Sequence, residues 1–165
     1  MLLMKKIFLF PGAVFIGKKP QIVDTVLGSC IAVAIFDSVL KFGSINHYML
    51  PVWNGEGTSS NKNGDIAIPY LINKMIDMGS NRADLKAKVF GGSEINQPNG
   101  FFQIGARNAA IAFEILKREK IPVVSQSVGG NQSRKIIFYS DSGAVLVRFV
   151  QSVKVTELSI VRTKS

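Results

Sequence analysis

A chain of 165 residues in which 47% are hydrophobic and only 19% charged carries enough apolar side chain for one core and lies far from the composition that keeps chains disordered. Its single cysteine excludes an intramolecular disulfide, CxxC metal spacing is absent, and no stretch approaches the roughly 18 apolar residues of a membrane-spanning helix. The formal charge of +9 attracts polyanions, but Lys and Arg fall in scattered pairs such as Lys5-Lys6, Lys18-Lys19 and Arg134-Lys135, so a solvated basic surface is expected and not a nucleic-acid arm.

In chain order, Met1 to Lys6 followed by Ile7-Phe8-Leu9-Phe10 sets charge ahead of an apolar stretch, as a signal peptide does. Pro11-Gly12 interrupts that stretch early and Lys18-Lys19 follow it, so a first β-strand is expected instead. Ile7 to Phe10 and Val14 to Ile16 read as strand, turn, strand. Ile31 to Phe36 alternates large and small apolar residues before Asp37-Ser38, and Gly43 to Leu50 resumes an extended pattern that ends at Pro51, which fits two antiparallel strands joined by a short turn. Asn54 to Asp65, rich in Gly, Ser and Asn, is expected to be an exposed loop able to act as a flap. Helical spacing from Ile66 to Met78 places Ile68, Leu71, Ile72, Met75 and Ile76 on one face, with Gly79 as the stop.

Lys86 to Phe90 reads as a strand leading into Gly91-Gly92, and a second helix from Ile104 to Glu119 would bury Ala109, Ala112, Phe113 and Leu116. Val123-Val124, Lys135 to Tyr139 and Ala144 to Val150 are further strands, punctuated by Gly129-Gly130 and Asp141-Ser142-Gly143. This order predicts a single α+β domain over residues 1–165: a layered sandwich of largely antiparallel or mixed β-sheet with two main helices packed against it.

A turn centred on Ser38-Val39 would set Cys30 directly opposite His47, the only histidine, and directly opposed residues have Cβ atoms about 4.5–5.5 Å apart. An imidazole of pKa about 6.5 can draw the proton from a thiol of about 8.5 and leave a thiolate at neutral pH. In Leu27-Gly28-Ser29-Cys30, Gly28 and Ser29 let backbone come close to the sulfur and shape the site, with N–H groups as donors to a developing oxyanion. An orienter for the imidazole is the third role such a site needs, and Asp24, Thr25 and Asn46 are its candidates. Gly91-Gly92-Ser93 and Gly129-Gly130-Asn131 lack Walker or dinucleotide spacing and are expected to be tight turns. One His, one Cys and no clustered carboxylates predict no metal, and no cofactor is expected.

Several segments together resemble the CheD family of chemoreceptor glutamine deamidases, over most of the chain. They are Pro11-Gly12, then Thr25-Val26-Leu27-Gly28-Ser29-Cys30-Ile31-Ala32-Val33, Asn46-His47-Tyr48-Met49-Leu50-Pro51, and Lys88-Val89-Phe90-Gly91-Gly92. Ile104-Gly105-Ala106-Arg107-Asn108 and Gly129-Gly130-Asn131-Gln132-Ser133-Arg134-Lys135 complete the set. The resemblance implies that Cys30 and His47 match the family's catalytic pair, with a Thr shortly before the Cys as third member. The family's Thr often lies six positions before the Cys, where Asp24 stands here, and Thr25 lies five before it; both are kept as candidates. A second departure is Ser127, where the family commonly carries an Asp ahead of its Gly-Gly turn.

By the same resemblance the reaction is hydrolysis of glutamine side-chain amides through a Cys thioester, on methyl-accepting chemotaxis receptors, in the cytoplasm. Some members are similarly expected to hydrolyse glutamate methyl esters. A CheC-type phosphatase is the further partner it implies, and a monomer is the default. Neither nucleic acid nor membrane insertion is expected. The rival readings are a catalytically weak protein that binds receptors or such a phosphatase, a basic nucleic-acid-binding module, and a cysteine peptidase or transglutaminase using the same nucleophile.

Overall fold

The computed structural model describes residues 3–95 and 103–150; the remaining parts of the domain expected over 1–165 lie outside them. Two sheets and two helices form three layers. One sheet has the strand order β1-β3-β8-β9, built from β1 (Lys5–Phe8), β3 (Gln21–Leu27), β8 (Arg134–Tyr139) and β9 (Val145–Phe149). The other has the order β2-β5-β4-β6-β7, built from β2 (Val14–Gly17), β5 (Phe42–Asn46), β4 (Ile31–Asp37), β6 (Leu85–Gly91) and β7 (Val123–Val128). Most neighbours are antiparallel, while β1–β3 and β6–β7 are parallel, so the architecture is the mixed-sheet α+β sandwich expected. The two apolar runs around Pro11-Gly12 do form strands, but they join different sheets, and Gln21–Leu27 is a strand that the pattern before Cys30 had not disclosed.

Strand β4 shows why the layers stack as they do. Its large residues Ile31, Val33 and Ile35 pack with Ile68, Leu71, Ile72 and Met75 of α1 (Gly64–Asp77) and with Ala112, Ile115 and Leu116 of α2 (Ile104–Arg118). Its small residues Ala32 and Ala34 turn the other way and meet Val23, Leu27, Ile136 and Phe138 of the four-stranded sheet. A strand covered on both faces has no polar side, which is why its sequence is an unbroken apolar run. Strand β8 is covered on one face only, and its residues alternate between buried and half-buried.

Helix α1 ends where the sequence indicated. Gly79 takes a φ of +108°, its N–H donates to Ile76, and Ser80 N–H donates to Met75, closing the last turn. Among the described residues no helix is long and apolar enough to cross a membrane.

The β4–β5 connection corrects the expected register. Asp37 pairs with Phe42 and Ala34 with Ile45, and the bridge between Ile31 and Tyr48 keeps that alignment. Extending it places Ala32 opposite His47, so Cys30 is the diagonal and not the direct neighbour of His47. The cause is the turn: Asp37 Oδ1 accepts the N–H groups of Val39 and Leu40, each at 2.9 Å, and Lys41 turns left-handed at φ 60°. The loop is therefore longer and centred further along than Ser38-Val39. A displacement of two residues keeps every side chain on its original face.

Candidate active site

Gly28-Ser29-Cys30 is the crossing point at which the chain leaves β3 in one sheet and enters β4 in the other. All three carbonyls of this bend are held: Gly28 by Ser93 N–H, Ser29 by Asn108 Nδ2 and Cys30 by Gly92 N–H, each at 2.9 Å. Among the described residues no acceptor outside the bend takes the N–H of Ser29 or Cys30. The bend is also pressed by Gly91, whose φ is +109° and whose Cβ, if it had one, would lie 2.1 Å from the Cys30 carbonyl oxygen. Glycine is required there both for its backbone conformation and for the closeness of the approach.

The thiol of Cys30 is partly buried against the core between the sheets. Burial pushes its pKa up, and its own backbone N–H beside the sulfur pulls part of the way back.

His47 follows β5, is 2% exposed and shares with Ile45 the face turned toward the four-stranded sheet. Its backbone is fixed by the Pro11-Gly12 segment: Gly12 N–H donates to the His47 carbonyl at 2.7 Å and His47 N–H to Ala13 at 3.3 Å. Thr25 reaches it from β3. The Thr25 hydroxyl stands 2.8 Å from His47 Nδ1 and 2.7 Å from the carbonyl oxygen of Leu9. A carbonyl can only accept, so the single hydroxyl proton goes to Leu9, and Nδ1 must carry the hydrogen that it gives to Thr25. That tautomer leaves Nε2 as the basic nitrogen.

Burial lowers the His47 pKa, with the nearby Leu9 carbonyl opposing in part. Both burial effects run against the thiolate–imidazolium pair expected from the unperturbed values. They favour a neutral thiol and a neutral imidazole.

Thr25 and His47 thus meet between the sheets, and Cys30 packs against the same inter-sheet core. Asp24 does not: alternation along β3 sends it to the outer face of its sheet, where Lys6 and Lys135 approach it at 3.9 and 3.4 Å. Asn46 also points away from His47, and its Oδ1 accepts the N–H of Val33 at 2.9 Å.

Both Gly-Gly turns adjoin the Gly28–Cys30 bend and are tied together. Ser93 donates its hydroxyl to the Gln132 carbonyl at 2.6 Å, and Gly129 N–H donates to Gly91 at 2.9 Å. Arg134, which sequence reasoning left among the surface pairs, is 1% exposed. Its guanidinium donates to Ser127 Oγ at 2.7 Å, Ser93 Oγ at 3.0 Å and the Gly129 carbonyl, and stacks on Phe149. A groove of about 680 Å³ opens beside it between Phe113, Ser127, Gly129 and Phe149, but Cys30 and His47 do not line that groove. Asn108 was also missed as a contact of the site. The available signal was a lone amide on the apolar stripe of α2, in step with Ala112 and Ile115.

Residues 49–149 match the family model described as CheD chemotactic sensory transduction. A protein of Sulfurimonas denitrificans named probable chemoreceptor glutamine deamidase CheD is 39% identical over 153 residues, covering 91% of this chain and 97% of the relative. The chain belongs to the CheD family. Proteins of the same name from Trichlorobacter lovleyi and Rhodospirillum rubrum are 40% and 39% identical, covering 87% and 94% of this chain and 89% and 88% of the relatives. The family model begins after His47, but the remainder outside the Sulfurimonas match is too short for Cys30 or His47 to fall beyond its span. CheD family membership and the Thr25–His47 contact are independent observations of the same chain.

Proposed function

We propose that this CheD-family protein is a chemoreceptor glutamine deamidase in which Cys30 is the nucleophile, His47 the general base and acid, and Thr25 the orienter of the imidazole. The observation that supports the reading is the Leu9–Thr25–His47 chain of hydrogen bonds, which orients the imidazole and leaves Nε2 as its basic nitrogen.

In the reaction, Cys30 Sγ attacks the carboxamide carbon of a glutamine side chain while its proton passes to His47 Nε2. The C=O bond opens to an oxyanion, for which the N–H groups of Ser29 and Cys30 are the donors at hand. His47 returns the proton to the nitrogen, the C–N bond breaks and ammonia leaves, forming a thioester. Water then gives a proton to His47 and its oxygen to the carbonyl, the C–S bond breaks as His47 returns that proton to the sulfur, and glutamate and the free thiol are released. Gly28 and Ser29 shape this bend, and Asp24 has no part in the chemistry.

Chemoreceptors as substrates are supported by the names of the relatives and by surface character. Phe10, Met49 and Leu50 are exposed apolar residues adjoining the segments that hold Thr25 and His47, and the net charge of +9 suits an acidic helical partner. A CheC-type phosphatase partner, a monomeric state and a cytoplasmic location rest on family resemblance. The test is ammonia release from a receptor cytoplasmic fragment. Release without peptide cleavage or amine incorporation supports the reading. Cleavage or amine transfer instead would assign the nucleophile to a peptidase or a transglutaminase.

A further inference from the structure

Asn108 is fully buried on the face of α2 that also carries Ala109, Ala112 and Ile115. A carboxamide among apolar neighbours is costly unless its hydrogens are used, and here they are used on two particular acceptors. Nδ2 donates to the Ser29 carbonyl and to the Met49 carbonyl, both at 2.9 Å. Ser29 immediately precedes Cys30, and Met49 lies just beyond His47 and Tyr48. The backbone carbonyl of Asn108 also accepts the buried hydroxyl of Tyr48.

These contacts sit just past the last backbone pair that joins the two segments. The regular β4–β5 ladder stops at Ala34 and Ile45. Beyond it, Val33 N–H is taken by the Asn46 side chain and not by backbone, and pairing returns only at Ile31 and Tyr48. Cys30 and His47 each adjoin that pair, in which Ile31 N–H donates to Tyr48 at 3.1 Å and Tyr48 N–H to Ile31 at 2.9 Å; past it, on the Cys30 side, it is the Asn108 carboxamide that joins the two segments, through Ser29 and Met49.

We infer that Asn108 is a positioning residue: its carboxamide clamps the approach to Cys30 to the exit from His47 and sets the separation across which the proton moves. This rests on the Cys30–His47 reading above. Neither hydrogen bond touches the reacting atoms, so the effect acts through the two residues it holds.

The test uses the full-length protein with N108D, which keeps the shape and loses the donors, and N108A. Two quantities are read: the pH dependence of Cys30 alkylation by iodoacetamide, with H47A as reference, and kcat and KM for deamidation. Both Asn108 variants are expected to shift the alkylation profile toward that of H47A and to lower kcat by about 10- to 100-fold with KM little changed. A folded variant whose alkylation profile and kcat match the parent overturns the inference. Failure of both variants to fold also overturns it, by making Asn108 a residue of the fold alone. Alkylation needs no receptor, so it reads Asn108 even where no substrate is turned over. Deamidation that survives C30A or H47A would instead sink the underlying reading.

Discussion

Thr25 Oγ1 and His47 Nδ1 stand 2.8 Å apart although Thr25 lies in β3 of one sheet and His47 just past β5 of the other, and the Leu9 carbonyl takes the Thr25 proton at 2.7 Å. The imidazole is thereby oriented by a neutral hydroxyl and not by a carboxylate. Removing the hydroxyl should release the ring: T25A is expected to lower kcat by about 10- to 100-fold, while T25S keeps most activity. D24N, on the outer face, should leave kcat near the parent value. Steady-state deamidation by the three variants checks the order, and a D24N loss matching T25A would contradict it.

The buried pair sets the pH range. In the proposed mechanism neutral His47 accepts the proton, and its pKa is depressed below 6.5, so activity should persist below the pH at which an ordinary imidazole is half protonated. Above the raised Cys30 pKa, beyond 9.0, the site lacks the proton that His47 must give to ammonia, and activity should fall. The profile of kcat/KM against pH measures both limbs. An acid limb above pH 6.5 would contradict the account.

Stability follows with signs that differ for the two groups. The depressed His47 pKa contributes stability present above the unfolded value of 6.5 and lost as pH falls through the folded value. The raised Cys30 pKa contributes stability present below the unfolded value of 9.0 and lost as pH rises through the folded one. Melting temperatures across pH should show both losses in the parent, the acid one reduced in H47Q and the alkaline one reduced in C30A.

Gly91 has no room for a side chain, since a Cβ would meet the Cys30 carbonyl at 2.1 Å on a backbone at φ +109°. G91A is expected to cost at least about 1–3 kcal/mol from backbone strain alone, and to displace the Gly28–Cys30 bend. Urea unfolding and Cys30 alkylation of the same variant measure the two effects.

Arg134 is buried with neutral acceptors, among them Ser127 Oγ at 2.7 Å, and among the described residues no carboxylate forms an ion pair with it. S127D would bring a carboxylate to the guanidinium. A charged hydrogen bond of that kind is worth about 1.5–3 kcal/mol, so S127D should unfold at higher urea than the parent with deamidation unchanged. Destabilisation would show that the neutral set already satisfies the guanidinium.

Much of this was legible in the sequence, for reasons that differ by element. The helices stood out because Ile68, Leu71, Ile72 and Met75 repeat at helical spacing, and Cys30 and His47 because each is the only one of its type. The face shared by those two residues was also legible, since a displacement of two residues leaves side-chain parity intact; their diagonal relation was not, because Asp37 and left-handed Lys41 lengthen the turn. Thr25 and Asp24 were inseparable in sequence because alternation distinguishes them only once β3 is known to be a strand with a buried face. Arg134 and Asn108 were hidden by their types: the partners that explain a buried guanidinium or amide come from distant segments, such as Ser93 and Ser29.

The most direct test of the account is mass spectrometry of glutamine-containing peptides from a receptor cytoplasmic fragment incubated with the parent protein, C30A and H47A. The account predicts that amide nitrogen is replaced by hydroxyl at particular glutamines with the parent, and at none with either variant. Equal conversion by C30A, or binding of the fragment by the parent with no conversion at any glutamine, would contradict it.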